Sequence, residues 1–410
     1  MHLLMYMTHF FRDMRSQKLR TFLTLFGIIW GTSAVVLLLA FGKGLHAQNQ
    51  KSMHGLGESI VILWGGRTSK PYMGFGRGRW IGLREEDANL LGQEVSGIGA
   101  VSPEYSRWST HIKYKKNAVT QNMVGIYPVF GEMRNIYAEM GGRFINKIDL
   151  EKRKRVVFIG NELKEDLFGK DEAIGKYIII DNVPFLVIGV MKEKSQDSSY
   201  SGRDKNKAFI PATTFAAMYG YKYLNNIIFK PKDAKQSELV KNHVYKVLGK
   251  KYKFDPKDKE ALKMWDTTEM EKFLTYFFLA FRVFLVVIGT FTLIVGGIGV
   301  SNIMHVVVEE RTKEIGIKMS LGAKKGHVLS QFIFETLVIT SIGGIVGFLF
   351  SLMVVKVFPL FNLEEYMGTP QINLPGVLIA VGVLGLVGLI SGYFPARRAA
   401  NLNPVQALKL

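Results

Sequence analysis

Four uncharged apolar runs, at 21–42, 283–308, 336–355 and 371–396, constrain this chain more than any other feature. Each is long enough to cross a bilayer, which takes ~20 residues as a helix. A helix of that length in a soluble core usually keeps a polar face, and these runs keep none. The sequence therefore predicts an α-helical membrane protein with four transmembrane helices and room, in 410 residues, for further domains.

Lysine and arginine in the short loops set the orientation. Arg12, Arg15, Lys18 and Arg20 precede the first run. Arg311, Lys313, Lys318, Lys324 and Lys325 lie between the second and third, and Arg397, Arg398 and Lys409 follow the fourth. The loop after the third run has only Lys356. Both termini and the 309–335 segment are thus expected in the cytoplasm. The plan along the chain is an interfacial amphipathic helix (1–20), the first span (21–42), an outer domain (43–272), a stalk and second span (273–308), a cytoplasmic amphipathic helix (309–327), the third span (328–355), a short outer loop (356–372), the fourth span (373–396) and a cytoplasmic tail (397–410). The charged leader is long and lacks good cleavage chemistry, so 21–42 reads as a retained anchor.

The outer domain reads as α+β, with two subdomains. Strand-like runs fall at 59–64, 111–126, 155–159, 177–190 and 226–230, with helices at 84–91, 162–168 and 237–248 and a closing strand at 261–265. Asp181-Asn182 is the turn of a hairpin. The loop 65–82 holds six glycines with Tyr72, Phe75 and Trp80, and is expected to be mobile. The domain carries 39 Lys/Arg against 27 Asp/Glu, scattered as on a solvated basic surface. There is no cysteine, so no disulfide can form. "GKDEAIGKY" at 169–177 misses the phosphate-loop spacing by one residue, and Tyr177 stands where a magnesium-holding Ser or Thr belongs. The eight histidines lack paired metal-ligand spacing. No ATP-binding motif, metal cluster or catalytic set is found, so an enzyme is not expected, nor is a nucleic-acid partner.

A helix from about 268 to 308 would be ~60 Å long at 1.5 Å per residue, so part of it should stand clear of the bilayer as a stalk. Arg282 reads as snorkelling at the outer interface, and His305 and Glu335 as interfacial. Gly296, Gly297 and Gly299, with Gly343, Gly344 and Gly347, suit close helix packing. Between the second and third spans lies "EERTKEIGIKMSLGAKKGHV", 309–328. Glu309 with Lys313 and Glu314 with Lys318 can pair at i,i+4, and Arg311 sits three before Glu314. Ile315, Met319 and Ile317 give an apolar side, and Gly322 suits a helix end. A mere connector needs neither the length nor the apolar residues, so a docking surface for a cytoplasmic partner is expected.

"GGIGVSNIM" (296–304), "ERTKEIGIKMSLGAKKGHVLSQFIFET" (310–336) and "GYFPARRAANLNPVQAL" (392–408) resemble the signature of the MacB/FtsX/LolC class of ABC-transporter permeases. The start, 17–44, is most similar to the MacB type, and "RVVFIGNELKEDLFGKDEAIGKYIIIDNVPFLVIGVM" (155–191) matches more loosely. The resemblance covers nearly the whole chain. It implies a dimer with a second copy or a paralogue, and a separate ABC ATPase that uses ATP and magnesium. No cofactor is then expected on this chain. The segment 310–323 would be the coupling helix, with Glu310, Arg311, Glu314, Ile315, Gly316, Leu321, Gly322 and Ala323 as its motif. Pro395, Pro404 and Ala407 match the tail motif. Met319 and Ser320 depart from the family pattern, and the ATPase that MacB proper carries on its own chain is not found among these residues.

The function implied is a MacB-type permease subunit in a bacterial inner membrane, with its large domain periplasmic. ATP-driven motion would pass to the periplasmic domains by mechanotransmission and drive efflux of a drug, peptide or other amphiphile. A periplasmic adaptor protein and an outer-membrane channel would assist. The alternatives are a lipoprotein-releasing LolC-like permease and an FtsX-like signal relay to a periplasmic partner.

Overall fold

A computed structural model describes residues 18–196, 199–361, 363–364, 368–403 and 407. The expected interfacial helix at 1–20 therefore lies almost wholly outside the described residues, as does Pro404. The chain divides into a helical unit (1–48 and 276–410) and a strand unit (49–275). In chain order the helices are α1 (Lys18–Leu56), α2 (Glu85–Glu94), α3 (Val129–Met133), α4 (Lys147–Glu151), α5 (Asn161–Phe168), α6 (Ala212–Tyr219), α7 (Ser237–Tyr252), α8 (Thr267–Glu310), α9 (Thr312–Ser320), α10 (Lys325–Val357) and α11 (Leu374–Ala400). The strands are β1 (Val61–Gly65), β2 (Ile98–Tyr114), β3 (Asn117–Ile126), β4 (Val156–Ile159), β5 (Tyr177–Ile180), β6 (Val183–Val190), β7 (Ala208–Pro211), β8 (Asn226–Pro231) and β9 (Leu262–Asp266).

All nine strands of the strand unit belong to one sheet. Four of them, in the order β2-β8-β1-β9 and antiparallel throughout, are connected as β1-α2-β2 and β8-α7-β9. That is the split β-α-β arrangement of the ferredoxin-like fold. The chain between β2 and β8 is an insertion whose pairings close on themselves: β2 with β3, β3 with β7, β7 with β4, β4 with β6, β6 with β5, and β5 with β2 again. Closure leaves these strands without a free edge. The two parts meet in β2, whose 17 residues pair with β8 at one end and with β3 and β5 at the other. At the β5–β6 turn, Asp181 (φ 42°) and Asn182 (φ 67°) are both left-handed, as a two-residue hairpin loop requires.

One apolar cluster packs α2, α5, α6 and α7 against the sheet through Leu91, Leu167, Phe215 and Leu248, and a second surrounds Phe158 and Phe209. The 65–82 loop is a pinned tongue, not the mobile loop expected. The Asp258 carboxylate accepts from the Ser69 and Lys70 amides (2.7 and 3.0 Å). The Arg79 guanidinium donates to the Tyr252 and Lys253 carbonyls.

Among the described residues four helices are long and apolar enough to cross a membrane: Leu25–Leu56, Thr267–Glu310, Lys325–Phe361 and Leu374–Ala400. Small residues set their approach. A Cβ added to Gly296 would lie 3.1 Å from the Gly27 carbonyl, and one added to Gly347 would lie 2.7 Å from that of Ile29. Gly344 faces Leu384 in the same manner, whereas Gly299 faces nothing within 4 Å. Ser33 donates to the Gly347 carbonyl at 3.0 Å, a bond between α1 and α10.

Candidate functional site

The apolar pattern that drives α8 stops at Glu309-Glu310, and the helix breaks at Arg311 (φ −94°, ψ 8°). A separate nine-residue helix, α9, follows. The break falls at Arg311. Its guanidinium turns to Glu335, at 3.2 and 3.4 Å, and both side chains are largely buried. Gln331 donates to the same carboxylate at 3.1 Å. Glu335 is buried within the protein, 5% exposed, ten residues inside α10. A buried carboxylate requires a partner, and Arg311 supplies it. Glu314 pairs with Lys318 at 2.8 Å, as their i,i+4 spacing allows. Glu309 approaches Arg398 of α11 at 3.8 Å.

The far end of α9 is closed by its own backbone. The Gly322 amide donates to Met319 and the Ala323 amide to Lys318, both at 3.1 Å, with Gly322 at φ +95°. These are the two bonds of the Schellman motif, and the left-handed residue between them favours glycine. Lys324 then returns to extended backbone and α10 begins.

The apolar residues of the segment face two ways. Ile315 (4% exposed) and Gly316 are buried, Ile315 in one cluster with Val308, Val328, Phe332 and Ala396, and Met319 packs against it. Ile317 (47%) and Leu321 (83%) are exposed, among Lys313, Glu314, Lys324 and Lys325. The apolar side expected for docking is thus divided. Ile315 and Met319 anchor the helix to its own unit, and Ile317 and Leu321 are free for a partner. Of the other motif residues, Glu310 and Gly322 are exposed and Ala323 is half-buried. Pro395 is buried in α11 beside Ala396, and Ala407 is buried but shares no cluster with Ile315.

The strand unit holds a second constellation that the sequence did not signal. The Asp204 carboxylate, fully buried, receives Arg134 (2.8 and 2.9 Å), Lys194 (2.8 Å) and Lys207 (3.1 Å). Burial alone would raise its pKa; the three cations hold it far below the ordinary carboxylate range. Burial lowers Lys194 to about 8 despite Asp204. Lys194 also donates to the carbonyls of Gly55 and Arg134, both at 2.8 Å, and Asn135 donates to that of His54. The last turn of α1 is therefore capped by side chains from loops of the insertion, which satisfy carbonyls that a helix end leaves unpaired. Arg134, Lys194 and Asp204 are 60 and 10 residues apart along the chain, too far for spacing to reveal. Among the described residues no group of His, Asp or Glu could hold a metal ion.

The family model of the MacB-like periplasmic core domain matches 21–246, and that of the FtsX-like permease C-terminal region matches 286–404. The macrolide export ATP-binding/permease protein MacB of Wolinella succinogenes is 32% identical over 407 residues, spanning 97% of this chain and 59% of that protein. Its counterpart in Bdellovibrio bacteriovorus is 29% identical over 405 residues, spanning 97% and 60%. The chain thus spans about 60% of the length of these relatives. The periplasmic region of MacB from Actinobacillus actinomycetemcomitans superposes with a TM-score of 0.44 at 20% identity, over 55% of this chain and 96% of that one, too loosely to argue from.

Proposed function

The chain belongs to the MacB/FtsX-like family of ABC-transporter permeases, and from that premise we propose that it is the membrane subunit through which an ABC ATPase moves a periplasmic domain. The observation that carries this reading is α9. It is a short helix closed at both ends between two apolar helices, tied to α10 through Arg311 and Glu335, with Ile317 and Leu321 exposed. A force applied to its outer face reaches α10 through a buried ion pair and a packed Ile315, with little slack. ATP and magnesium are used by the ATPase. The termini and α9 face the cytoplasm, in keeping with the positive-inside distribution. The transported class is a drug, peptide or other amphiphile; the relatives' designation as macrolide exporters supports efflux. An adaptor and an outer-membrane channel complete the path.

A second copy of the chain is supported by a shallow apolar groove of about 550 Å³ lined by Gly27, Trp30, Phe291 and Gly296. Small residues there permit the close approach that helix association in lipid requires.

The test is co-purification in mild detergent from the native host. An ABC ATPase should accompany the wild-type chain and be lost from Ile317→Asp and Leu321→Asp, while both variants remain inserted. Gly316 is unsuited to this test, because its burial would make any enlargement a packing defect. Absence of an ATPase from the wild type, or full retention by both variants, sinks the reading.

A further inference from the structure

The tongue between β1 and Leu83 has no part in the permease reading. Its residues 66–82 include Arg67, Lys70, Arg77 and Arg79 and no acidic side chain. Lys222 and Lys253 lie against it, each 5.8 or 5.7 Å from a tongue-packed ring, Tyr223 and Phe75. Among these cations stand large apolar side chains that the fold leaves in the open: Met73 (71% exposed), Trp80 (53%), Phe75 (39%) and Tyr223 (37%). Trp80 meets Tyr223 edge-on at 4.7 Å, and the Arg79 guanidinium lies 4.4 Å over Phe75.

Three observations point the same way. The first is composition. Tryptophan, tyrosine, phenylalanine, methionine and arginine are the residues enriched where proteins meet, and lysine is not. A surface meant only to attract a polyanion would need no Met73 or Trp80. The second is shape. Tyr72 and Phe75 exchange both backbone bonds (3.0 and 2.9 Å), and Asp258 and Arg79 fix the base, so little ordering cost remains to be met on binding. The third is position within the strand unit. β1 pairs with β9 so that Val61 faces Asp266 and Gly65 faces Leu262. The long helices α1 and α8 join the sheet at the Val61–Asp266 end, and the tongue leaves from the other. Along β1 and β9 it therefore lies at the opposite end from those joints, on the strand unit's own surface.

We propose that the tongue is a docking surface for an acidic, apolar-containing segment of a partner protein, with carboxylates meeting Arg77 and Lys70 and an apolar side chain covering Met73 and Trp80. This is independent of the permease reading and needs no ATPase. A random peptide library displayed on phage would be panned on the full-length chain in detergent, and enriched peptides measured by fluorescence anisotropy. The expected peptides combine Asp or Glu with aromatic or aliphatic residues. Arg77→Glu should weaken them about tenfold and Met73→Ser several-fold, with Lys147→Glu, an equal charge change on α4, within twofold. Enriched peptides without acidic residues, or equal losses with Lys147→Glu, would overturn the proposal. So would tighter tongue-dependent binding of phosphatidylglycerol vesicles or dextran sulfate, which would make the occupant a lipid or a glycan.

Discussion

The strand unit buries many large side chains completely, among them Phe158, Phe185, Phe209 and Phe229, and even Arg134 and Lys207. In the helical unit the closest approaches are made by residues with almost no side chain, Gly27 on Gly296 and Gly347 on Ile29. The difference follows from the solvent each is built for. In water, burying apolar area supplies the driving force, and volume serves it. Helices with apolar outer faces, such as Phe291, Val295 and Leu386, gain nothing by exchanging lipid for one another. They hold by close contact, and their charges gather where α8, α9 and α10 meet. Each unit also has a buried ionic joint where a long helix ends or breaks, Asp204 in the strand unit and Glu335 in the helical unit.

The contrast can be broken from either side. The largest effect is expected from Asp204→Asn, which leaves three buried cations without a carboxylate. Losing one partner of a buried ionic network costs about 3–5 kcal/mol, and thermal unfolding of the detergent-solubilised chain should show it; a change under 1 kcal/mol would mean that the cluster is hydrated. Gly347→Leu comes next. Its new side chain would press on the Ile29 carbonyl and Thr32, and overpacking costs about 1–3 kcal/mol. The same measurement should then show loss confined to the helical unit, with the strand unit's near-ultraviolet dichroism unchanged.

A smaller, pH-dependent effect is expected at Lys194, whose pKa falls to about 8 from 10.5. Between those values the unfolded chain holds a proton that the folded chain has shed, so this residue's contribution to stability rises with pH across the window. Wild type minus Lys194→Met should therefore shift in favour of the wild type by about 1–3 kcal/mol from pH 7.5 to 10. A flat difference would refute the lowered value. The smallest effect belongs to Glu314→Gln, which removes an exposed pair with Lys318. Less than about 0.5 kcal/mol is expected, and a larger loss would make α9 depend on that pair.

Periodic and punctuated features were legible in the sequence. Four apolar runs became four long helices, Gly322 ends α9, and Asp181-Asn182 turns its hairpin. Boundaries moved outward where caps lay beyond the hydrophobic pattern, as at α7, which runs on to Tyr252 past Leu248 until Lys253 turns left-handed. Pairings across the sequence were not legible. Nothing near Arg311 names Glu335, 24 residues on, and nothing near Arg134 names Asp204, 70 residues on. The two faces of α9 were also hidden, because periodicity gives a stripe and not what covers it. The glycines of the tongue suggested looseness, while the aspartate that pins it comes 189 residues after Ser69.

Strand β2 belongs to both halves of the sheet, and that bears on modularity. The inserted strands were spliced into the middle of a structural member, not appended through a linker. A graft exchanging the insertion with that of a relative would have to cut β2 between its pairings with β8 and with β5, severing ladder bonds on both sides. Chimeras joined in the turns at 115–116 and 220–225 keep β2 intact but carry only one wall of the ring. The domain is therefore exchangeable only as a whole, cut at its two helical joints and not within β2.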